Sequence, residues 1–184
     1  MTMSELEEET PVKATSITKI GPSKIDQKIT FYYNDPTQIY YSYVKNDLLD
    51  DMLEDISESM QAYLSQDIFK INNQDVPLVL EETEIDFYKG KKNKPYLLFS
   101  IVNGSDFELV NGENTIVLEA EKEILDYEIV STWKLPGKIL EIVSPLKHKI
   151  TGFQVVFSAS QGDEIGGFEQ YSFQYHVKKS KKNN

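Results

Sequence analysis

The 184-residue chain contains no cysteine and no arginine. Lack of cysteine excludes disulfides, thiolate zinc sites, iron–sulfur clusters and cysteine nucleophiles together. It fits a reducing compartment. All 19 bases are lysine, so the planar fork that grips guanine, carboxylate or phosphate at two points is missing, as is an arginine finger. Long apolar runs are also missing, and no stretch approaches the roughly 18 residues of a membrane helix. The opening MTMSELEEET is acidic where a signal peptide is basic and then apolar. These absences predict a cytoplasmic protein with no membrane association. No GxxxxGK, GxGxxG or GxSxG spacing occurs, which removes the phosphate loop, the dinucleotide fingerprint and the hydrolase elbow. His148 lies between lysines in LKHKI and His176 on the polar side of YSFQYHV, with no third ligand for a metal pair. No metal site and no cofactor are predicted.

What the chain does have is acid: 30 Asp and Glu against 19 lysines, a net charge of −11. Such a surface repels polyanions, so no strong direct nucleic-acid binding is predicted. The length suits one domain, and a chain of this size buries about 70% of its unfolded surface without needing a metal or disulfide. Residues 1–26, with Glu5, Glu7, Glu8 and Glu9 and a Gly21-Pro22-Ser23 break, read as a flexible acidic arm. Residues 27–177 read as a single β-rich domain, and 178–184 (KKSKKNN, ending after the lysine pairs) as a lysine-rich tail.

ITFYYNDPTQIYYSYV, Ile29 to Val44, holds five of the chain's 11 tyrosines. Two aromatic runs flank Asn34-Asp35-Pro36-Thr37, and Asp35-Pro36 suits the start of a type I turn, so a β-hairpin is predicted. Then comes one main amphipathic helix, Asp47 to about Gln66. Leu48, Leu49, Met52, Leu53, Ile56, Met60, Tyr63 and Leu64 recur at three- and four-residue spacing, and Asn46 or Asp47 can cap its start. Its outward face, Glu54, Asp55 and Glu58, is wholly negative. Beyond Phe69 the period is two: 76–88, 95–102, 107–110, 115–120, 124–135, 139–143, 149–159 and 168–177 read as strands, with Asn-Gly, Pro-Gly and Gly-Asp turns between them. The predicted class is α+β: an antiparallel, β-rich barrel or sandwich-like domain with one main helix.

Several groups are candidates for function. The tyrosines Tyr32, Tyr40, Tyr41 and Tyr43 fall on both faces of the predicted hairpin, and core packing, protein–protein contact and base stacking are open readings. Glu82, Glu84 and Asp86 share one face of a strand, the arrangement a carboxylate hydrolase would need. Trp133 reads as a rim-packing residue before a Pro-Gly turn, and Gly166-Gly167 as a hairpin turn. No catalytic residue is assigned, and the chain reads as a non-enzyme. A small-molecule-binding barrel with the helix as its lid is the alternative, and a carboxylate hydrolase stands behind it.

The length, the acidic helix DLLDDMLEDISESM, the strands around EIVSTWKLPGKILEIV and the closing FEQYSFQYHVKK together resemble one family. This is the seventh, accessory subunit of the archaeal type III-B (Cmr) CRISPR effector complex, an antiviral defence assembly. The resemblance implies a non-catalytic homodimer docked on an RNA-guided, RNA-cutting complex whose other subunits supply the nuclease and guide contacts. Tyr32, Tyr40, Tyr41, Tyr43, Glu54, Asp55 and Glu58 then become the expected partner-binding residues.

Overall fold

The computed structural model describes residues 10–177; the glutamates of 1–9 and the lysine tail of 178–184 lie outside the described residues. The fold is α+β and sandwich-like. One layer is a seven-stranded sheet ordered β10-β11-β8-β1-β2-β6-β5, and five strands ordered β4-β3-β7-β12-β9 form a second sheet. In chain order the first sheet uses β1 (Lys13–Ile20), β2 (Ile25–Tyr32), β5 (Leu78–Phe87), β6 (Pro95–Asn103), β8 (Glu128–Lys134), β10 (Lys147–Thr151) and β11 (Gln154–Ala159). The second uses β3 (Ile68–Ile71), β4 (Gln74–Asp75), β7 (Gly112–Ile124), β9 (Lys138–Val143) and β12 (Glu164–Tyr175). All pairings are antiparallel except β1 with β8.

The expected arm over 1–26 is corrected from Lys13 onward. β1 is a central strand, held on one side by β2 and on the other by β8. Its inward residues are Ala14, Ser16, Thr18 and Ile20, mostly small or hydroxyl-bearing, so the apolar alternation that marks a strand is faint. The hydroxyls find partners inside: Ser16 Oγ donates to Ser131 Oγ at 2.7 Å, and Gln27 Nε2 donates to Thr18 Oγ1 at 3.0 Å.

The hairpin predicted over the tyrosines is also corrected. After β2 the Asp35-Pro36 turn forms, with Gln38 N–H donating to the Asp35 carbonyl at 3.1 Å, but it opens a helix, α1 (Ile39–Lys45). An aromatic run of seven residues is ambiguous between strand and buried helix, and tertiary burial decides it here. Tyr40 and Tyr43, three apart, turn to one side, and Tyr40 is buried. A turn at Asn46 and Asp47, the latter at φ 56°, leads into α2 (Leu49–Leu64). Neither Asn46 nor Asp47 caps α2, because both are consumed in joining the two helices.

Leu49, Met52, Leu53, Ile56, Met60 and Leu64 point α2's apolar stripe at the sheet, while Leu48 and Tyr63 stay about half exposed. Two side chains fix where the helix lies. Ser57 Oγ donates to Thr83 Oγ1 on β5 at 2.7 Å, and the Leu80 N–H donates to Gln61 Oε1 at 2.8 Å. The helix is thereby tied to the outermost strand.

Pairing register shows that one face of the seven-stranded sheet carries both cores. Toward β8 and β11 that face presents Trp133, Val155 and Phe157 to the five-stranded sheet, where Phe69, Ile71, Ile116, Tyr171 and Phe173 complete the main core. Toward β2, β6 and β5 it presents Phe31, Leu97, Phe99, Ile101 and Ile85 to the helices. Trp133 is 5% exposed, stacked on Phe69 and edge-on to Tyr171, so it sits in the centre of the main core and not at a rim. Gly166 and Gly167, at φ +80° and +82°, form a bulge inside β12 opposite β7, not a hairpin turn; that turn lies at 160–163. Phe107–Val110 packs Phe107 and Leu109 inward without being a strand, the predicted strand 124–135 breaks at 125–127 between β7 and β8, and 149–159 folds back on itself as the β10–β11 hairpin.

Candidate functional site

The helices and the five-stranded sheet lie side by side on one sheet face, and between the two helices, over β2 and β6, lies an apolar cleft of about 380 Å³. Its floor is Phe31, Leu97 and Phe99, from β2 and β6. One wall is Tyr33, Tyr40 and Tyr43, and the other is the flank of α2 carrying Met52, Ile56 and Met60. Asp51, Asp55 and Ser59, spaced four apart, form the α2 rim. Beyond the cleft the C-terminal half of α2 is held from both sides, with Ser57 and Gln61 bonded to β5. There Tyr63 Oη donates to Glu123 Oε1 of β7 at 3.3 Å, and Tyr127 packs edge-on to Phe31 at 6.0 Å.

Asp35 organises the aromatic wall. It is fully buried, and its carboxylate accepts from Thr37 Oγ1 at 2.9 Å and from the Tyr40 N–H at 3.1 Å. That satisfies a first-turn amide of α1 that has no partner within the helix. The ring of Tyr40 then packs on Tyr33 at 5.5 Å.

The expected partner residues do not form one surface. Tyr40 is core, at 2% exposure. Tyr43 is half-buried in the cleft wall, and Asp55 is half-buried on its rim. Tyr41 lies outside the cleft, edge-on to Phe87 at 5.8 Å with Lys92 Nζ 4.2 Å above its ring. Tyr32 faces the other side of the sheet, beside Tyr96 at 5.9 Å. Glu54 and Glu58 are exposed on the outer side of α2. Tyr40, Tyr43 and Asp55 are thus brought together; the rest are dispersed.

Other candidates are placed elsewhere. Glu82, Glu84 and Asp86 stand exposed on the open face of edge strand β5, and Asp86 Oδ2 accepts from Tyr96 Oη at 3.0 Å. That bond raises the Tyr96 phenol above its ordinary value by holding its proton. Beyond the C-terminus of α2, burial raises the Asp67 carboxyl, and the nearby Glu123 raises it further. Burial likewise raises the Tyr63 and Tyr127 phenols, with Glu123 adding to both. His148 is exposed, its Nδ1 3.1 Å from the Leu146 carbonyl, and His176 follows β12 at the surface. Among the described residues no three His, Asp or Glu side chains group as metal ligands, and no helix is long and apolar enough to cross a membrane.

Residue patterns had not singled out the floor and far wall: Phe31, Leu97, Phe99, Met52, Ile56 and Met60 looked like ordinary core in periodicity. The loop Lys89-Gly90-Lys91-Lys92-Asn93-Lys94, with four lysines in six residues, is a further cationic feature that the sequence itself displays. No family model matches the chain, and no curated protein matches it.

Proposed function

We propose that the chain is a non-catalytic interaction subunit whose working surface is the acid-rimmed cleft, and that it docks an apolar segment bearing lysine or arginine from a protein partner. The carrying observation is the cleft itself: aromatic and methionine walls under a rim of Asp51 and Asp55, continuous with the wholly acidic outer side of α2. Apolar walls reward side-chain burial at about 25 cal/mol per Å², and methionine adapts to irregular shapes. The carboxylates select for positive charge and against acidic competitors. In keeping with the sequence resemblance, the partner belongs to a ribonucleoprotein such as a type III-B complex, and a homodimer is part of the same proposal.

Affinity purification of the tagged full chain from its source cells tests this, with Asp51→Lys/Asp55→Lys alongside. The expected result is a stoichiometric protein partner, accompanied by RNA and further subunits, whose yield falls at least several-fold with the reversed rim. Recovery of the chain alone, or equal recovery by the variant, overturns the reading.

The cleft volume favours one second reading, a small apolar cation in the same place, since pockets for such ligands start at about 300 Å³. Here the layers form an open sandwich, not a closed barrel with a lid. Thermal stabilisation by aromatic amines, abolished by Met60→Lys, would favour it over a protein partner.

A further inference from the structure

We propose that the other face of the same sheet end carries a second site, one for single-stranded nucleic acid, built from the β5–β6 lysine loop with Tyr88 and Tyr32. A separate open cleft of about 510 Å³ lies there, lined by Lys13, Thr15, Tyr32, Tyr88 and Lys94 among others. It opens on the opposite face of the sheet and shares only Tyr33 with the helix-side cleft.

Three observations carry the inference. First, Lys89, Lys91, Lys92 and Lys94 concentrate positive charge in a chain whose net charge is −11. Among the described residues none of these four pairs with a carboxylate, whereas Lys13, Lys24, Lys70 and Lys122 all do. Four lysines within six residues, with no carboxylate inside the run to offset them, make this the densest cationic stretch among the described residues. Second, the loop is held in shape. The Tyr88 N–H donates to the Lys94 carbonyl at 2.9 Å, Lys91 N–H to Tyr88 at 3.1 Å, and Lys94 N–H to Lys91 at 2.9 Å. Lys89 and Gly90 turn the chain at φ 52° and 70°, and the Asp35 N–H ties Asn93 from outside at 3.0 Å. A closed loop spares a ligand the entropy of ordering it. Third, aromatic rings stand among these charges. Tyr88 is 47% exposed with Lys89 Nζ 5.2 Å above it, and Tyr32 lines the same cleft.

Lysines that track phosphates, beside ring faces that stack bases, form the pairing that sequence-tolerant single-strand binders use. Without arginine no bidentate base reading is available, so the site follows backbone and stacking, not sequence. An acidic peptide would use the lysines but leave the rings idle. The carboxylates Glu82, Glu84 and Asp86 on the same open face, and Glu128 on Lys13, confine the favourable field to the loop end. Binding is therefore local, in the micromolar range and steep in salt.

Fluorescence anisotropy of the full chain tests it, with oligouridylate and oligothymidylate of about ten nucleotides and a polyglutamate peptide as probes. With about three phosphates engaged at a slope near 0.7 each, raising salt from roughly 50 to 200 mM weakens binding about 20-fold. Lys89→Gln/Lys91→Gln/Lys94→Gln is expected to lose at least tenfold, and Tyr88→Ala about fivefold or more for the oligonucleotides alone. A control that removes equal charge elsewhere, Lys134→Gln/Lys138→Gln/Lys147→Gln, stays within about twofold. Preference for oligouridylate would assign the site to RNA, and equal binding to single strands of either kind. No binding at the lower salt, equal loss in the control, or polyglutamate binding as tightly as the oligonucleotides would each overturn the proposal.

Discussion

Replacing Asp35 by alanine tests whether one buried carboxylate holds the aromatic wall of the helix-side cleft in place. Its side chain accepts from the Tyr40 amide and Thr37 hydroxyl, its carbonyl accepts from Gln38, and its own amide donates to Asn93 in the lysine loop. Asp35→Ala removes both side-chain bonds and leaves the Tyr40 amide buried without an acceptor, at about 1–3 kcal/mol. The lost acceptor is the one at the start of α1, whose removal alone is of the same order, so the whole cost is about 1–3 kcal/mol. Thr37→Ala removes one partner near the surface and should cost about 1 kcal/mol or less. Urea unfolding of the full chain, followed through the lone tryptophan Trp133 in the main core, reads both values. Hydrogen exchange adds location: amides of Ile39–Lys45 should exchange faster in Asp35→Ala while those of β12 keep their protection. An Asp35→Ala variant within about 0.5 kcal/mol of wild type, or one no worse than Thr37→Ala, refutes the assigned role.

Three further outcomes are expected. Gly166→Ala should be far costlier than Gly167→Ala. Both positions have φ near +80°, but a Cβ at Gly166 would come within 2.1 Å of the Glu121 carbonyl, while at Gly167 it meets only the Lys122 side chain at 3.3 Å. About 1–2 kcal/mol for Gly167→Ala and clearly more for Gly166→Ala is the pattern for urea unfolding to show; equal costs would contradict the bulge geometry. Asp67→Asn should stabilise at neutral pH. Because burial and Glu123 raise the folded carboxyl, the folded chain binds that proton more tightly than the unfolded one, and wild-type stability falls as pH rises through the interval above about 3.9. The gain in thermal midpoint should shrink as pH drops and vanish near pH 4, and a gain independent of pH would refute the charge argument. Light scattering of the full chain should give a dimer, and a monomer would remove self-association from the proposed function.

Legibility in the sequence followed how locally each feature was encoded. α2 could be read because Leu49, Met52, Leu53, Ile56, Met60 and Leu64 repeat at helical spacing within one segment, and β6 because Leu97, Phe99 and Ile101 alternate with half-buried residues. β1 could not, since its inward Ser16 and Thr18 owe their burial to hydrogen bonds with Ser131 and Gln27 far along or across the sheet. The tyrosine run reads as strand because aromatic composition favours strands, and only the Asp35 contact to Tyr40 signals otherwise. Trp133 looked peripheral from its neighbouring Pro-Gly turn, yet its ring faces Phe69 and Tyr171, which come from the other sheet. The lysine loop was visible in composition. Its lack of carboxylate partners required coordinates.

The margin on which the helices sit follows from unequal layers. Two extra strands make the first sheet wider than the second by about 10 Å, at roughly 4.8 Å per strand, and one helix with its side chains is about as wide. A helix centred over that margin would close the layer and leave only core. Instead the bonds from Ser57 to Thr83 and from Gln61 to Leu80 draw α2 to the outermost strand, while Tyr63 pins its far end to Glu123. All three contacts lie in the C-terminal half of α2, and its N-terminal half faces the tyrosines of α1 across the cleft. The space that opens is floored by β2 and β6 and edged by Asp51 and Asp55. Polar contacts that stabilise little individually, about 1 kcal/mol each, thus decide whether this margin is filled core or a surface able to receive another chain.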